Sequence, residues 1–229
     1  MLLVKPSFTI LTPINADDIL KRIEAAGRTC YKSEDRITGD SAKTFCKAIL
    51  GRNHVSVIEH ESVSVRIVCD RGVTHEIVRH RLASYSQEST RYINYEKKGA
   101  AFVIPPWVNL LPGEPKDVDE TIVALTGVGN KAGALWLLTM KNAEATYNDL
   151  LTLGWKPEQA RSVLPNSLKT EIVMTANLRE WRHFFDLRTA KAAHPQMREI
   201  AVPLLKEFKR LIPIIFDDIT PFEESKKAD

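Results

Sequence analysis

The chain has 229 residues, of which 44% are hydrophobic and 27% are charged, and its formal net charge is +3. A chain of this size and composition can bury one apolar core, so we predict a single domain spanning residues 1–229. The near balance of 32 basic and 29 acidic residues argues against a protein that follows a nucleic-acid backbone, and no apolar run approaches the roughly 18 residues that a membrane helix needs.

Hydrophobic periodicity predicts interleaved strands and helices in the N-terminal half. In chain order these are a strand over residues 2–11, helices over 15–27 and 41–50, a strand over 63–67 and a helix over 71–81. Asn15 and Asp70 are candidate N-caps, because short polar side chains accept hydrogen bonds from the first free N–H groups of a helix. Gly27 is the expected stop of the first helix.

The C-terminal half continues the same alternation. Its predicted elements are a strand over 101–104, a helical region over 118–153, a short helix between Pro157 and Pro165, a strand over 169–176 and helices over 178–187 and 195–211. Gly127-Val128-Gly129 should break the long region, Pro203 should kink the last helix, and the tail from Glu223 to Asp229 should fray. An apolar stripe is expected to be core or a subunit contact: Leu135, Leu138, Ala145 and Leu150.

This order of elements predicts an α+β fold with a mixed or antiparallel sheet and flanking long helices. No glycine-rich strand–turn–helix start is present, so we do not expect a Rossmann fold. Neither GxGxxG nor a P-loop occurs, and a bound nucleotide would therefore be held by side chains and helix ends.

The N-terminus indicates the compartment, and the cysteines indicate which kinds of site are absent. The start, Met1 to Pro6, lacks the basic residues and apolar run of a signal peptide, so we predict a cytoplasmic protein. An odd number of cysteines without CxxC spacing argues against a disulfide framework or a zinc site. Cys46 and Cys69 should pack as small hydrophobic residues. For Cys30 a catalytic thiol is the alternative, although nothing nearby would lower its pKa.

The most unusual stretch runs from Arg79 to Tyr92. It contains three arginines, one histidine, three serines and a single acid, Glu88. Arginine forks and hydroxyl groups suit a bound dianion, whereas a solvated basic loop is the structural alternative. The predicted helix over 71–81 would carry the start of this stretch on its last turn, and the rest would form a loop.

Two other polar clusters are candidate sites. One lies on the helix over 178–187 and its exit: Asn177, Arg179, Arg182, His183, Arg188, His194, Gln196 and Arg198. It is either a solvated face or a site for a flat heterocycle with phosphates. In the other, Ser56 and Glu59 have the spacing of a capping pair and are also able to bind a ligand. His54 and His60 are six residues apart without a third ligand, so we predict no metal site.

Arg79-His80-Arg81 followed after seven residues by Ser89, with Gln87 to Tyr92 around it, resembles the signature of flavin-dependent thymidylate synthases. Further pieces of that family's pattern recur in order along nearly the whole chain: His54-x-Ser56-x-x-Glu59-His60, Glu158-x-x-Arg161-x-x-Leu164-Pro165, and Asn177-x-Arg179 leading to Leu187-Arg188. The signature is long and compositionally unusual, which argues against a chance match.

The resemblance implies a set of binding residues. Those matching FAD contacts are Ser56, Glu59, Arg79, His80, Arg81, Asn177, Arg179, His183 and His194. Those matching dUMP contacts are Glu76, Arg79, Gln87, Ser89, Thr90, Arg91, Arg161 and Arg188. His54 matches a histidine near the flavin ring and the incoming folate. The chain departs from some members at Glu76 and Gln87, where acid and amide are exchanged, at His183, which replaces an asparagine, and around 189–194, where residues are added.

The resemblance also implies the reaction, which is methylation of dUMP at C5 with methylenetetrahydrofolate as carbon donor and FAD, reduced by NADPH, as hydride carrier. No cysteine nucleophile would be needed. Arg91 and Arg161 would neutralise the phosphate and Arg188 would polarise the pyrimidine carbonyl. Ser89 would anchor the substrate, since no histidine–carboxylate relay is evident to activate it. The family is homotetrameric, with sites shared between chains.

Two other functions are compatible with the same residues. One is a flavin-dependent methyltransferase that acts on another uracil-containing substrate, such as a folate-dependent RNA methylase, and the near-neutral charge argues against RNA. The other is a nucleotide-binding or RNA-binding regulator that kept the scaffold. NADPH oxidation by a bound flavin separates an enzyme from a regulator.

Overall fold

The structure, a computed structural model, describes residues 1–115 and 117–222, without the side chains of Lys97 and Lys98. The segment from Glu223 to Asp229, which we predict to fray, lies outside the described residues. Helices and strands are mixed along the chain, which confirms that part of the predicted fold class. The strands are β1 (Leu2–Val4), β2 (Ser7–Ile10), β3 (Ser62–Asp70), β4 (Ala83–Gln87), β5 (Ala101–Val103) and β6 (Lys169–Asn177). The α-helices are α1 (Ala16–Thr29), α2 (Ser41–Gly51), α3 (Arg71–Ile77), α4 (Tyr95–Lys98), α5 (Val118–Gly127), α6 (Lys131–Thr152), α7 (Pro157–Ala160), α8 (Leu178–Arg188) and α9 (Pro195–Leu211).

The strands form two sheets among the described residues. β1 pairs in parallel with β5, with Leu2 opposite Ala101 and Val4 opposite Val103. The other sheet has the order β2-β3-β6-β4, so β3 and β6 are neighbours despite their distance in sequence. Buried residues occupy every second position of β3 and β6, because successive side chains of a strand point to opposite faces.

The chain divides into two compact units, each built from separate segments. The first comprises Met1–Ser7, Ile67–Arg79 and Ser86–Ile172. The second comprises Phe8–Arg66, His80–Tyr85 and Val173 onward. The single-domain assignment, the non-Rossmann topology and the homotetramer stay predictions.

The core of the first unit lies between α6 and the segments around β1 and β5. Its buried face on α6 is formed by Ala134, Leu137, Met140 and Tyr147. The core alternative for the predicted apolar stripe is wrong for Leu135 and Leu138, which are 65% and 37% exposed. The inward face of α6 follows Ala134, Leu137 and Met140, so the predicted row, one position further along the helix, faces away from this core.

The second unit is organised around an aromatic cluster. Trp181, Phe184 and Phe185 on α8 pack with Phe208 and Phe216, with ring centroids 5.1–5.7 Å apart. The Trp181 indole donates to the Val63 carbonyl at 3.0 Å, so its only polar group is satisfied inside the core. This packing fixes α8, the helix that carries much of the candidate site.

Two predicted helix ends are wrong. α1 does not stop at Gly27 but continues to Thr29. A Cβ at Gly27 would lie 2.4 Å from the Phe45 ring, so this glycine permits close approach of α2 and does not end the helix. α3 ends at Ile77, not at residue 81. α9 extends through Pro203 as one helix.

Candidate active site

The expected site residues fall into two sets, one in each unit. The first unit contains Glu76, Arg79, Gln87, Ser89, Thr90, Arg91 and Arg161. The second unit contains His54, Ser56, Glu59, His80, Arg81, Asn177, Arg179, His183, Arg188 and His194.

In the first unit, a buried cap and a short helix lead to the start of the signature. Asp70 accepts from the Val73 N–H at 2.8 Å, as expected of an N-cap. Because α3 ends at Ile77, Arg79 lies in a turn beyond the helix, where its N–H donates to the Glu76 carbonyl at 3.3 Å. The signature therefore begins outside α3 and not on its last turn, where the sequence predicts it to begin.

Arg161 joins the signature loop through a side-chain contact. Its Nη1 donates to Thr90 Oγ1 at 3.0 Å, across 71 positions of sequence. Thr90 is buried and Arg161 is exposed. Ser89 Oγ accepts from the Arg91 N–H at 3.3 Å, and the Arg91 guanidinium lies 5.5 Å from the Tyr92 ring centroid. One short loop thus supplies the Arg91 cation, the hydroxyl groups of Ser89 and Thr90 and its own amides, and a turn distant in sequence supplies the Arg161 cation.

Gln87 is held by two threonines that sequence reasoning missed. Its Nε2 donates to Thr74 Oγ1 at 3.1 Å and to Thr170 Oγ1 at 3.4 Å. Both threonines are buried. The amide orientation is therefore set by fixed acceptors, and no sequence signal links these three positions.

Glu88, the acid of the signature, has a structural role in the first unit. It accepts from the Tyr95 hydroxyl at 3.1 Å and from Lys169 Nζ at 3.0 Å. Lys169 also donates to Glu171 at 2.6 Å. Burial alone would lower the pKa of Lys169, but the hydrogen bonds to Glu171 and Glu88 outweigh it and raise the pKa. The signature's acid is thus neutralised by a lysine from β6.

In the second unit, His80 connects two residues of α8. Its Nδ1 lies 3.0 Å from Glu180 Oε1, and Arg188 Nε donates to His80 Nε2 at 3.1 Å. His80 and Glu180 are buried, and His80 also packs against the Phe184 ring at a centroid distance of 5.0 Å. Burial is the main cause of a lowered His80 pKa, with Glu180 opposing the shift and Arg188 adding to it.

His80, Glu180 and His183 also have the spacing of a metal centre, with ligand atoms within 4.8 Å of one another. His183 Nδ1 lies 3.3 Å from the same Glu180 oxygen. The His80 nitrogen that faces Glu180, however, is Nδ1, and it carries the proton when Nε2 accepts from Arg188, so it has no lone pair for a metal. An adjacent fixed cation opposes a second one, so the arrangement favours a hydrogen-bonded cluster over a metal site.

A pocket of about 850 Å³ lies in the second unit. His54, Ser56 and Arg179 line it, together with four residues not expected from the sequence: Arg28, Arg36, Arg52 and Tyr31. No aspartate or glutamate is among its lining residues in the described part of the chain. Arg28 is paired with Glu24, whereas Arg36 and Arg52 have no acidic partner among the described residues. The pocket therefore carries an excess of positive charge.

The remaining expected residues have mixed environments. Glu59 binds Arg179 Nη1 at 2.5 Å and does not form a capping pair with Ser56, since the 3-10 helix Val55–His60 has no side-chain cap. Asn177 caps α8 by accepting from the Glu180 N–H at 2.9 Å. His194 caps α9 in the same way. Arg81 is exposed and has no hydrogen-bond partner within the described ranges.

The cysteines differ in exposure. Cys46 and Cys69 are buried, as predicted, and burial raises the pKa of Cys46 to about 12 and raises that of Cys69 as well. Buried thiols of high pKa are poor nucleophiles. Cys30 is exposed and lines the pocket. Among the described residues no helix has the length and apolar character to cross a membrane.

Comparison with known proteins gives a consistent result. The family model described as thymidylate synthase complementing protein matches residues 14–214. The flavin-dependent thymidylate synthase of Mycobacterium tuberculosis (strain ATCC 25618 / H37Rv) is 35% identical over 214 residues, which cover 90% of this chain and 81% of that protein. The protein of the same name from Mycolicibacterium gilvum is 34% identical over 222 residues, covering 94% and 84%.

A solved structure gives a similar match. The UMP/dUMP methylase PolB from Streptomyces cacaoi, bound with 5-Br dUMP, aligns with a TM-score of 0.70 and 26% identity, over 95% of this chain and 96% of that one. The same enzyme bound with 5-Br UMP aligns with a TM-score of 0.68 and 24% identity. The second likeness is one of fold alone.

Proposed function

The chain belongs to the flavin-dependent thymidylate synthase family, and on that premise we propose that it methylates dUMP to dTMP with methylenetetrahydrofolate as carbon donor and FAD, reduced by NADPH, as hydride carrier. The observation that carries the proposal is the contact of Arg161 with Thr90 in the signature loop. This contact joins Arg161 to the signature loop, whose cation and hydroxyl groups suit a dianion.

Arg91 and Arg161 are proposed to bind the phosphate of dUMP. A phosphate presents oxygens in several directions, and two guanidinium groups with a serine and a threonine hydroxyl match them. Ser89 is assigned an anchoring role, because its Oγ accepts from a backbone N–H and has no histidine partner among the described residues. Gln87, held by Thr74 and Thr170, and the half-buried Glu76 are proposed to contact the nucleoside.

Arg188 is proposed to polarise the pyrimidine carbonyl. During methylation at C5 the ring gains negative charge, and a guanidinium aimed at that oxygen stabilises it. No thiolate is required, and the high pKa values of the buried Cys46 and Cys69 agree with a route without a cysteine nucleophile.

The residues of the second unit fit FAD. The pocket volume of about 850 Å³ is of the size of cofactor sites. Arg36 and Arg52, which have no acidic partner in the described part of the chain, would attract the pyrophosphate, while Arg179 and Ser56 offer donors to the rest of the molecule. His54 lines the same pocket and is proposed to lie near the flavin ring and the folate. When bound, FAD supplies the hydride, and the protein orients it.

Formation of dTMP tests the proposal directly. Purified protein is incubated with dUMP, methylenetetrahydrofolate, FAD and NADPH, and the nucleotides are separated by chromatography. We expect dTMP only in the complete mixture. A folded, FAD-loaded protein that makes no dTMP would exclude the proposed reaction.

UMP is a second candidate substrate. The similar PolB structure is named for a UMP/dUMP methylase, so both nucleotides merit comparison in the same assay. A kcat/KM for dUMP well above that for UMP supports thymidylate synthesis. The reverse ratio supports the second candidate.

A further inference from the structure

We infer that Glu180, which matches no expected ligand contact, positions Arg188 through His80. The inference rests on the proposed function, because it gives Arg188 its part in the reaction. Three side chains carry it, and they form an unbroken hydrogen-bonded path within the second unit.

The direction of the path follows from the chemistry of its members. An arginine Nε–H is only a donor, so His80 Nε2, which lies 3.1 Å away, must be an unprotonated acceptor. A neutral imidazole then carries its proton on Nδ1, which donates to Glu180 Oε1 at 3.0 Å. The Glu180 carboxylate therefore selects the tautomer that lets His80 accept from Arg188.

Glu180 is itself firmly held. It lies in the first turn of α8, where the helix dipole favours a negative charge. It is 5% exposed, and Asn177 caps its backbone N–H. Arg188 lies in the last turn of the same helix. The two ends of α8 are thus linked through a side chain from the signature.

The His80 ring has little freedom to adopt another arrangement. It is 3% exposed and packs against the rings of Phe184 and His183, with centroid distances of 5.0 and 5.3 Å. The Tyr85 hydroxyl donates to the His80 carbonyl at 2.7 Å. The imidazole therefore acts as a fixed acceptor, and the hydrogen bond at Nε helps to set the plane of the Arg188 guanidinium.

Charge state matters to this arrangement. The charged and titratable groups around His80 are Glu180, His183 and Arg188 on α8 and Tyr85 on β4. Burial raises the pKa of Tyr85 to about 12, so the Tyr85 hydroxyl stays neutral. Protonation of His80 would place a proton on Nε2, break its hydrogen bond to Arg188 and bring two cations together. Activity should fall on the acid side for this reason.

The test compares Glu180→Ala with Glu180→Gln. The alanine variant loses the acceptor for Nδ1–H, and we expect kcat to drop about 10- to 100-fold, as misplacement of a catalytic group does, with the KM for dUMP little changed. The glutamine variant keeps an acceptor oxygen and should lose less. Its acid limb of kcat should move to lower pH, because the negative charge that raises the His80 pKa is gone.

Glu207→Gln is the matched control, since Glu207 also binds an arginine, Arg210, but on an exposed face. It should leave kcat and the pH profile unchanged. Equal losses in both Glu180 variants without a shift of the acid limb would indicate a structural role and overturn the inference. So would a folded Glu180→Ala protein with normal kcat. If that variant does not fold, the pH profile of Glu180→Gln decides.

A second readout separates this inference from the proposed function. In ¹⁵N-histidine spectra we expect His80 to be protonated at Nδ1 and unprotonated at Nε2, and this preference should be lost in the alanine variant. The opposite tautomer in the unsubstituted protein would overturn the path even if dTMP is formed. If His80 has the expected tautomer but the protein makes no dTMP, the hydrogen-bonded path is confirmed. The proposed reaction, and with it the role of Arg188, is then refuted.

Discussion

Arg188 and Arg161 each donate a hydrogen bond to a buried residue. Arg188 donates to His80 at 3.1 Å and Arg161 donates to Thr90 at 3.0 Å. Such contacts reduce the number of rotamers that a long side chain must lose when a substrate binds. At the residue scale, the proposed chemistry therefore depends on how these two guanidinium groups are fixed.

Replacement of Arg188 by alanine tests the proposed transition-state role. We expect kcat/KM for dUMP to fall about 100- to 1,000-fold, because the carbonyl loses a preorganised positive charge. The fold should survive, which circular dichroism would verify. Arg210→Ala is the control, since Arg210 pairs with Glu207 on the surface of α9. A near-normal kcat/KM for Arg188→Ala would contradict the role.

Arg161 and Thr90 should act as a pair in dUMP binding. Arg161→Ala should raise the KM for dUMP by about 10- to 100-fold, the worth of a charge-assisted hydrogen bond to phosphate. Thr90→Val should cost less by itself. In a double-mutant cycle the two losses should not add, because the threonine acts by orienting the arginine. Fully additive losses would show that the contact has no part in binding.

At the element scale, the sequence predicted most strands and helices. It misjudged where two helices end, joined β1 and β2 in one strand over 2–11, and placed β4 in a loop. Asn15 and Asp70 cap their helices as predicted, because N-cap chemistry is local. The end of α3 and the role of Gly27 depend on tertiary packing, as the nearness of the Phe45 ring to Gly27 shows. Likewise, signature residues contact three side chains that are distant in sequence: Thr74, Thr170 and Glu180. No local sequence pattern predicts such contacts.

The cap of α3 provides a prediction at this scale. Asp70→Ala should lower the free energy of unfolding by about 1–2 kcal/mol, because removal of this buried cap leaves the Val73 N–H without an acceptor. It should also raise the KM for dUMP, since α3 leads to the signature. Asp117→Ala is the control, because it removes an exposed cap from α5. Denaturant unfolding gives both stabilities, and an equal effect of the two variants on KM would contradict the argument.

At the scale of the whole molecule, the proposed flavin route would make the thiols dispensable. A variant with Cys30→Ser, Cys46→Ala and Cys69→Ala should keep kcat within about threefold, although it should unfold at lower temperature because two small cavities form in the core. Alanine avoids a buried hydroxyl group at the two core sites. A folded triple variant without turnover would contradict a cysteine-free reaction.

The cytoplasmic location and the homotetramer stay predictions, and native mass spectrometry would measure the number of chains in the assembly.

The central claim is that this chain methylates dUMP with a hydride from bound flavin. An anaerobic absorption experiment on the FAD-loaded protein tests it most directly. NADPH should bleach the flavin, and methylenetetrahydrofolate should restore its absorbance only when dUMP is present, with dTMP formed in the amount of flavin reoxidised. Failure of a folded protein to bind FAD, or reoxidation without any dTMP, would contradict the account.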